Sequence, residues 1–301
     1  MQKLILLLIF VSVASTMSTA QILTEKFGKG IQFEGKDSTF YLRLGIRFQN
    51  QFSATWSGID GNTYEDFDAA FVTRRSRIKL DGWAYSPKFT YKLELALSNR
   101  DQSGGNTKEF SNAPNYVLDA SIAWNFYKNF SIQMGQAKLP GNRERVISSG
   151  NLQFVDRSVL NSRFNIDRDQ GIQLKHHFQI FEGFVVKEVF ALSQGEGRNV
   201  TAGHFDGFDY TFRLELLPFG EFASKGDYVG SAVKREETPK LAFGVSYDIN
   251  ENAVRERGQL GSFINDADGS YFGRTLYTGF ADMMFKYGGV SVMAEYAERK
   301  A

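Results

Sequence analysis

The chain has 301 residues with 35 Lys plus Arg, 34 Asp plus Glu and no cysteine, which excludes a disulfide-stapled miniprotein and a Cys-ligated zinc module. A hydrophobic content of 42%, with 28 Phe and 13 Tyr against only 5 Pro, argues for ordered structure rather than a disordered or collagen-like polymer. The formal net charge of +1 excludes a globally basic nucleic-acid binder, so any anion chemistry must be local and no nucleic-acid partner is expected.

Residues 1–20 read as a secretory signal peptide. Lys3 precedes an apolar run from Leu4 to Val13, and Ser18-Thr19-Ala20 sets small side chains three positions before and just before Gln21, the pattern of a cleavage site after Ala20. The run falls short of the roughly 20 residues that a helix needs to span a bilayer. An exported protein without cysteine suits a bacterial envelope, where disulfides are permitted but not required.

From Gln21 onward no second long apolar run occurs. About eleven segments instead alternate hydrophobic and polar residues, the period of a strand. Phe40 to Gln49 sets Phe40, Leu42, Leu44, Ile46 and Phe48 against Tyr41, Arg43, Gly45, Arg47 and Gln49. The next, about 72 to 85, sets Ile78 and Leu80 against Thr73, Arg75, Arg77, Lys79 and Asp81. In a third, Phe89, Tyr91, Leu93, Leu95 and Leu97 oppose Thr90, Lys92, Glu94, Ala96 and Ser98; in a fourth, Ile122, Trp124 and Phe126 oppose Asp119, Ser121 and Asn125. Further segments lie near 130–137, 170–178, 184–193, 208–217, 240–249, 275–287 and 289–299. Several are close to the roughly 9–11 residues that a tilted strand needs to cross a membrane.

The connections alternate between short and long. Short links fall at Ser86-Pro87, Lys128-Asn129, 179–183 and Gly288-Gly289, and long ones near 54–70, 100–114, 138–169, 194–207 and 250–274. Tight turns on one side and long loops on the other characterise an up-and-down barrel in an outer membrane. The link 218–239 breaks the rule, being long where a short one is due. Alternation alone does not separate a membrane barrel from a soluble sandwich or lipocalin-like barrel, because it does not say which face meets solvent. Strand number, strand length, aromatic strand ends and loop asymmetry favour the transmembrane antiparallel barrel over a secreted β-sandwich.

Several stretches resemble the phosphate-selective porins O and P of Gram-negative outer membranes. They are Phe71-Val72-Thr73-Arg74-Arg75-Ser76-Arg77-Ile78-Lys79-Leu80-Asp81-Gly82, Tyr91-Lys92-Leu93-Glu94-Leu95, Gly135-Gln136-Ala137-Lys138-Leu139-Pro140, Phe154-Val155-Asp156-Arg157-Ser158 and Asp282-Met283-Met284-Phe285-Lys286-Tyr287, in that order along most of the chain. The resemblance implies an outer-membrane porin in contact with lipid, assembled as a homotrimer of sixteen-stranded barrels. It also implies passive diffusion of small inorganic anions such as phosphate, and a third extracellular loop folded inward to narrow the pore. The connection 138–169 is the third long one and the longest. Two departures lead to the expectation that C-terminal strands are missing. Only about eleven strands are counted, and the chain ends Glu298-Arg299-Lys300-Ala301 rather than on an aromatic residue.

Within that frame Arg75, Arg77 and Lys79 recur every second residue, about 6.6 Å apart along one face. Arg43 and Arg47 share the polar face of the preceding strand, so all five are candidates for an anion pathway. At an effective dielectric of 20, a unit anion 6 Å from one such cation is stabilised by about 2.8 kcal/mol before desolvation. Cations in series hold an anion weakly at each stage, which conduction requires. The planar guanidinium fork also matches phosphate oxygens. The competing reading is that these cations pair with Asp81, Glu94 and Asp119. Arg74, on the apolar parity, is expected to snorkel at a membrane boundary or reach a neighbouring subunit. The loop 138–169 holds Lys138, Arg143, Arg145, Arg157, Arg163 and Arg168, outnumbering its acids. Arg143, Arg157 and Arg163 are the constriction candidates.

Catalytic and metal signals are thin, and no enzyme activity, cofactor or metal is expected. The histidines are His176, His177 and His204, and no HExxH, GxSxG or P-loop occurs. Adjacent histidines in a strand face opposite ways and cannot chelate together. Asp266-Ala267-Asp268-Gly269 reads as a loop turn rather than a calcium loop. The alternative to a pore is a non-channel envelope barrel that binds a ligand or serves as a structural anchor.

Overall fold

The computed structural model describes residues 20–23, 28–60, 63–99, 101–102, 108–201 and 206–301. Residues 1–19 of the expected signal peptide and His204 lie outside the described residues. Among the described residues thirteen strands run in up-and-down succession, in two compact units bounded as Met1–Gln102 and Ser103–Ala301.

The first unit contains β1 (Ala20–Leu23), β2 (Ile31–Gly35), β3 (Phe40–Asp60), β4 (Thr63–Ala84) and β5 (Ser86–Ala96), each antiparallel to the next. The second contains β6 (Val117–Tyr127), β7 (Phe130–Lys138), β8 (Arg168–Phe181), β9 (Phe184–Ser193), β10 (Asp209–Leu217), β11 (Lys240–Ala253), β12 (Arg274–Tyr287) and β13 (Val290–Lys300), again an antiparallel meander. The eleven alternating segments correspond to β3–β13. The short β1 and β2 were not anticipated, because four or five residues show too little of the period.

The sheet faces are inverted relative to a soluble protein. On β11, Phe243, Val245 and Tyr247 are 44%, 56% and 49% exposed, while Ser246, Asp248 and Asn250 on the other face are 1%, 2% and 1% exposed. On β10 Phe212 is exposed whereas Thr211, Arg213 and Glu215 are buried. A soluble sandwich buries its apolar face, so this inversion removes the soluble reading and leaves the apolar face for hydrocarbon. Hydrogen bonding between neighbouring strands satisfies the backbone that lipid cannot.

Two departures from expectation concern β3 and β4. The long link expected at 54–70 is strand on both sides of residues 61–62, because aromatic alternation continues through Phe52, Trp56, Phe67 and Phe71. The register then slips where Gln49 and Asn50 of β3 meet Arg75 and Thr73 of β4, leaving Arg74 as the extra residue of a bulge. The bulge reverses the parity of β4: Thr73, expected on the polar face, is exposed, while Arg75 is buried.

Lys128-Asn129 and Gly288-Gly289 connect strands as read, whereas Ser86 and Pro87 begin β5 after a turn at Tyr85, and the link read at 179–183 narrows to 182–183. Gly288 and Gly289 both hold positive φ, +57° and +102°, which a two-residue hairpin turn demands and most side chains resist. In the second unit the long connections 139–167, 194–208 and 254–273 leave from one end of the meander. The exceptional 218–239 leaves from the other, and it is long because it folds back over the polar face. Its Phe222 and Tyr228 join Ile147, Leu152, Val185, Leu217, Ala242, Met284 and Met293 in an apolar cluster on that face.

Replacing Val245 with Arg puts a charge on the apolar face. The expected outcome is a loss of about 2–4 kcal/mol for a midplane position, less nearer an interface, measured by denaturant unfolding in lipid vesicles. An unchanged stability would contradict lipid contact at this face.

Candidate functional site

The five candidate pathway cations share one face of the first unit. Across the β3–β4 ladder Arg43 stands opposite Asp81, Gly45 opposite Lys79, Arg47 opposite Arg77 and Gln49 opposite Arg75. Two arginines directly opposite repel, and acids relieve them. Arg77 Nη1 is 2.9 Å from Glu94 Oε1, and its Nε donates to Asp101 Oδ2 at 2.8 Å. Arg43 Nη2 lies 2.6 Å from Asp81 Oδ2, Lys79 Nζ 3.0 Å from Asp81 Oδ1, and Lys92 Nζ 3.2 Å from Glu94 Oε2. Arg75, 2% exposed, donates to Gln49 Oε1 at 2.9 Å. Burial pushes the Asp101 carboxyl up, but Arg77, helped by Arg75 and Arg74, holds it below its ordinary value. Arg74 thus acts on the same acid as the polar-face arginines.

The pairings expected with Asp81 and Glu94 therefore form, while Asp119 pairs with Arg168 in the second unit, Nε to Oδ1 at 2.7 Å. Charge nevertheless stays unbalanced. Over the paired residues 40–49, 75–84 and 90–96, Arg43, Arg47, Arg75, Arg77, Lys79 and Lys92 share the polar parity with Asp81 and Glu94, and Asp101 is added from the following connection.

In the second unit the connection 139–167 carries α1 (Arg143–Val146) and α2 (Val159–Phe164). It lies across the polar face of β10–β13. Arg143, fully buried, places Nε 2.6 Å from Asp282 Oδ1 and Nη2 3.3 Å from Glu215 Oε1. Arg213 completes the group, with Nη1 2.7 Å from Asp282 Oδ2 and Nη2 2.7 Å from Glu215 Oε1. Two guanidinium ions and two carboxylates thus neutralise one another, the condition on which buried charge is tolerated. Gly244 leaves room for them, since a Cβ there would collide with Asp282 Oδ1 and come within 2.5 Å of Arg213 Nη2.

Further bonds pin the same segment. Glu295 Oε1 on β13 accepts from the Glu144 backbone N–H at 2.6 Å, and Gly141 O accepts from Arg213 Nη1 at 2.9 Å. Lys138 Nζ donates to the carbonyls of Arg145 and Ile147 at 2.8 and 3.0 Å, and Arg157 donates to those of Glu144 and Ile147, both at 2.9 Å. Both cations thus occupy the negative end of α1. The segment also meets 218–239: Arg143 Nη1 donates to Asp227 O at 3.1 Å and Gly230 N to Asn151 O at 2.7 Å.

Of the three constriction candidates, Arg143 is an anchor, Arg157 holds carbonyls, and Arg163 is exposed on α2 with no ion pair among the described residues. Sequence reasoning missed Arg213, Glu215, Asp282 and Glu295. Their signal was present as charges on the polar parity of otherwise apolar strands, but their partners lie roughly 70 to 150 residues away. His176 stacks on Phe130 with ring centroids 3.9 Å apart, and its Nδ1 lies 3.0 Å from Glu188 Oε2. Asp266–Gly269 forms a turn closed by Gly269 N donating to Asp266 O at 2.9 Å.

An apolar face for lipid, a charged face shielded from it and a connection laid across that face define an outer-membrane porin. The family model described as phosphate-selective porin O and P matches residues 42–300, and the chain belongs to that family. It is a family of channels rather than enzymes. No curated protein matches the chain.

Replacing Arg143 with Ala leaves Asp282 and Glu215 short of one positive partner. We expect a loss of about 3–5 kcal/mol and faster proteolytic cleavage between residues 148 and 158; unchanged cleavage would show that the anchor does not hold the segment. Asp167 gives a pH test. Burial pushes its carboxyl up, but Arg145 and Arg168 outweigh this and hold it far below the ordinary range. The resulting stability is complete above the unfolded value of about 3.9 and declines as pH falls below it. The gap in thermal unfolding between the protein and Asp167→Asn should therefore be larger at pH 7 than at pH 3.

Proposed function

We propose that the protein is a passive pore for small anions, phosphate among them, acting as a homotrimer in the outer membrane after cleavage behind Ala20. The observation that carries this reading is the surplus of cations on the polar parity of the paired residues 40–49, 75–84 and 90–96, six against Asp81, Glu94 and the nearby Asp101. Arg43 and Lys79 share Asp81, and Arg77 and Lys92 share Glu94, so an anion arriving at Arg43 or Lys79, both partly exposed, need not break an isolated pair. Such multi-site attraction favours passage over trapping. The connection 138–169, the third long one, serves as the extracellular constriction loop. Arg163 meets solute there, while Arg143 and Arg157 set the position of the loop.

The meeting of 139–167 with 218–239 favours a second reading, a non-channel envelope barrel whose polar face is filled by its own connections. Conductance in a planar bilayer separates the two.

Under a salt gradient the reversal potential should show anion preference; cation preference would remove the anion reading and leave a porin. Replacing Arg75 and Arg77 with Gln should cut that preference sharply, since Glu94 and Asp101 then lose their main partner. Unchanged selectivity would place the filter elsewhere.

A further inference from the structure

Beyond residues 49 and 75 the β3–β4 hairpin has no third strand among the described residues of its unit. β2 pairs with β3 only over Tyr41–Leu44, and β5 pairs with β4 only over Arg77–Ala84. About ten residues suffice to cross the hydrocarbon, and Phe40–Gln49 with Arg75–Ala84 supply them. The remaining 50–60 and 63–74 form a two-stranded ribbon beyond the membrane. A ribbon of that kind is marginal in water, and its two open edges invite pairing.

One face of this ribbon is aromatic. Phe52 packs on Phe71 with centroids 4.7 Å apart, and Trp56 on Phe67 at 5.2 Å. All four remain open, at 57%, 86%, 57% and 61% exposure respectively. Phe52 and Trp56 keep the parity of the lipid-facing Phe40, Leu42, Leu44, Ile46 and Phe48. The bulge at Arg74 brings Phe71 and Phe67 onto that same face; without it they would point to the polar side. The stripe therefore continues the outer wall upward, away from the polar face and above the hydrocarbon that would otherwise cover it.

We infer that a second copy of this chain covers the stripe, the ribbon acting as an arm that grips a laterally adjacent subunit. Area supports this occupant. At roughly 200 Å² per ring, the four rings leave on the order of 500 Å² open, most of the ~800 Å² that each partner contributes to a standard stable interface. Charge disfavours anionic lipid headgroups: between Asn50 and Thr73 the sequence has Asp60, Glu65, Asp66 and Asp68 and no Lys or Arg.

The test places a benzoyl-phenylalanine photo-crosslinker at Trp56, and separately at Phe71, in the full-length protein in whole cells. A crosslinked product containing two copies of the chain is expected. A product with lipopolysaccharide alone, with a different protein, or none at all would overturn the inference. In parallel, the combined variant Phe52→Ser, Trp56→Ser, Phe67→Ser and Phe71→Ser should raise the dissociation constant of the detergent-solubilised oligomer by about 30-fold or more, read by light scattering. Its barrel should still show heat-modifiable gel migration. An oligomer as tight as the original would refute the arm. Should this variant fail to fold, the crosslinking result decides alone. Neither readout depends on ion selectivity, so the anion reading stands or falls separately.

Discussion

The whole arrangement depends on one constraint: charges turned away from lipid must neutralise one another, because neither hydrocarbon nor a filled interior supplies the water that would solvate them. The second unit meets it in full and the first, whose polar face keeps a surplus of cations, only in part. In the first unit neighbouring strands meet it locally, with Arg43 and Lys79 sharing Asp81 and with Arg77 divided between Glu94 and Asp101. In the second unit Arg213, Glu215 and Asp282 on the strands wait for Arg143, which arrives from a connection. Neutralisation there is what fastens the segment.

The same requirement explains why cations proposed for one task perform another. Arg157 and Lys138 would repel each other and leave the end of α1 unsatisfied unless they turned toward its carbonyls, and both do. The long connection 218–239 meets an apolar need as well. Phe222 and Tyr228 cover Leu217, Ala242 and Met284 on a face that is otherwise polar. A short turn could not have reached them.

Much of the fold was legible in the amino-acid order. The eleven segments of alternating character became β3–β13, and the resemblance carried by Phe71–Gly82 and Asp282–Tyr287 led to the family to which the chain belongs. The misreadings share a physical origin. The link at 54–70 looked like a loop because Ser, Gly, Asn and Asp are frequent there, yet Phe52, Trp56, Phe67 and Phe71 pair across strands, and that pairing outweighs local turn propensity. Thr73 was placed on the wrong face because a single extra residue, Arg74, reverses the parity of the side chains that precede it relative to Arg75 and those beyond.

By itself the sequence determined that this chain alternates along strands, that its charges cluster on one parity, and that short and long connections alternate except at 218–239. Those properties are periodic and local, so they survive without a partner in view. Only the tertiary structure decided that the apolar face is the exposed one, that Arg143 meets Asp282, and that 139–167 and 218–239 touch across the polar face. Such contacts join residues far apart in the chain, and a buried charge shows its partner only when the strands between them are in register.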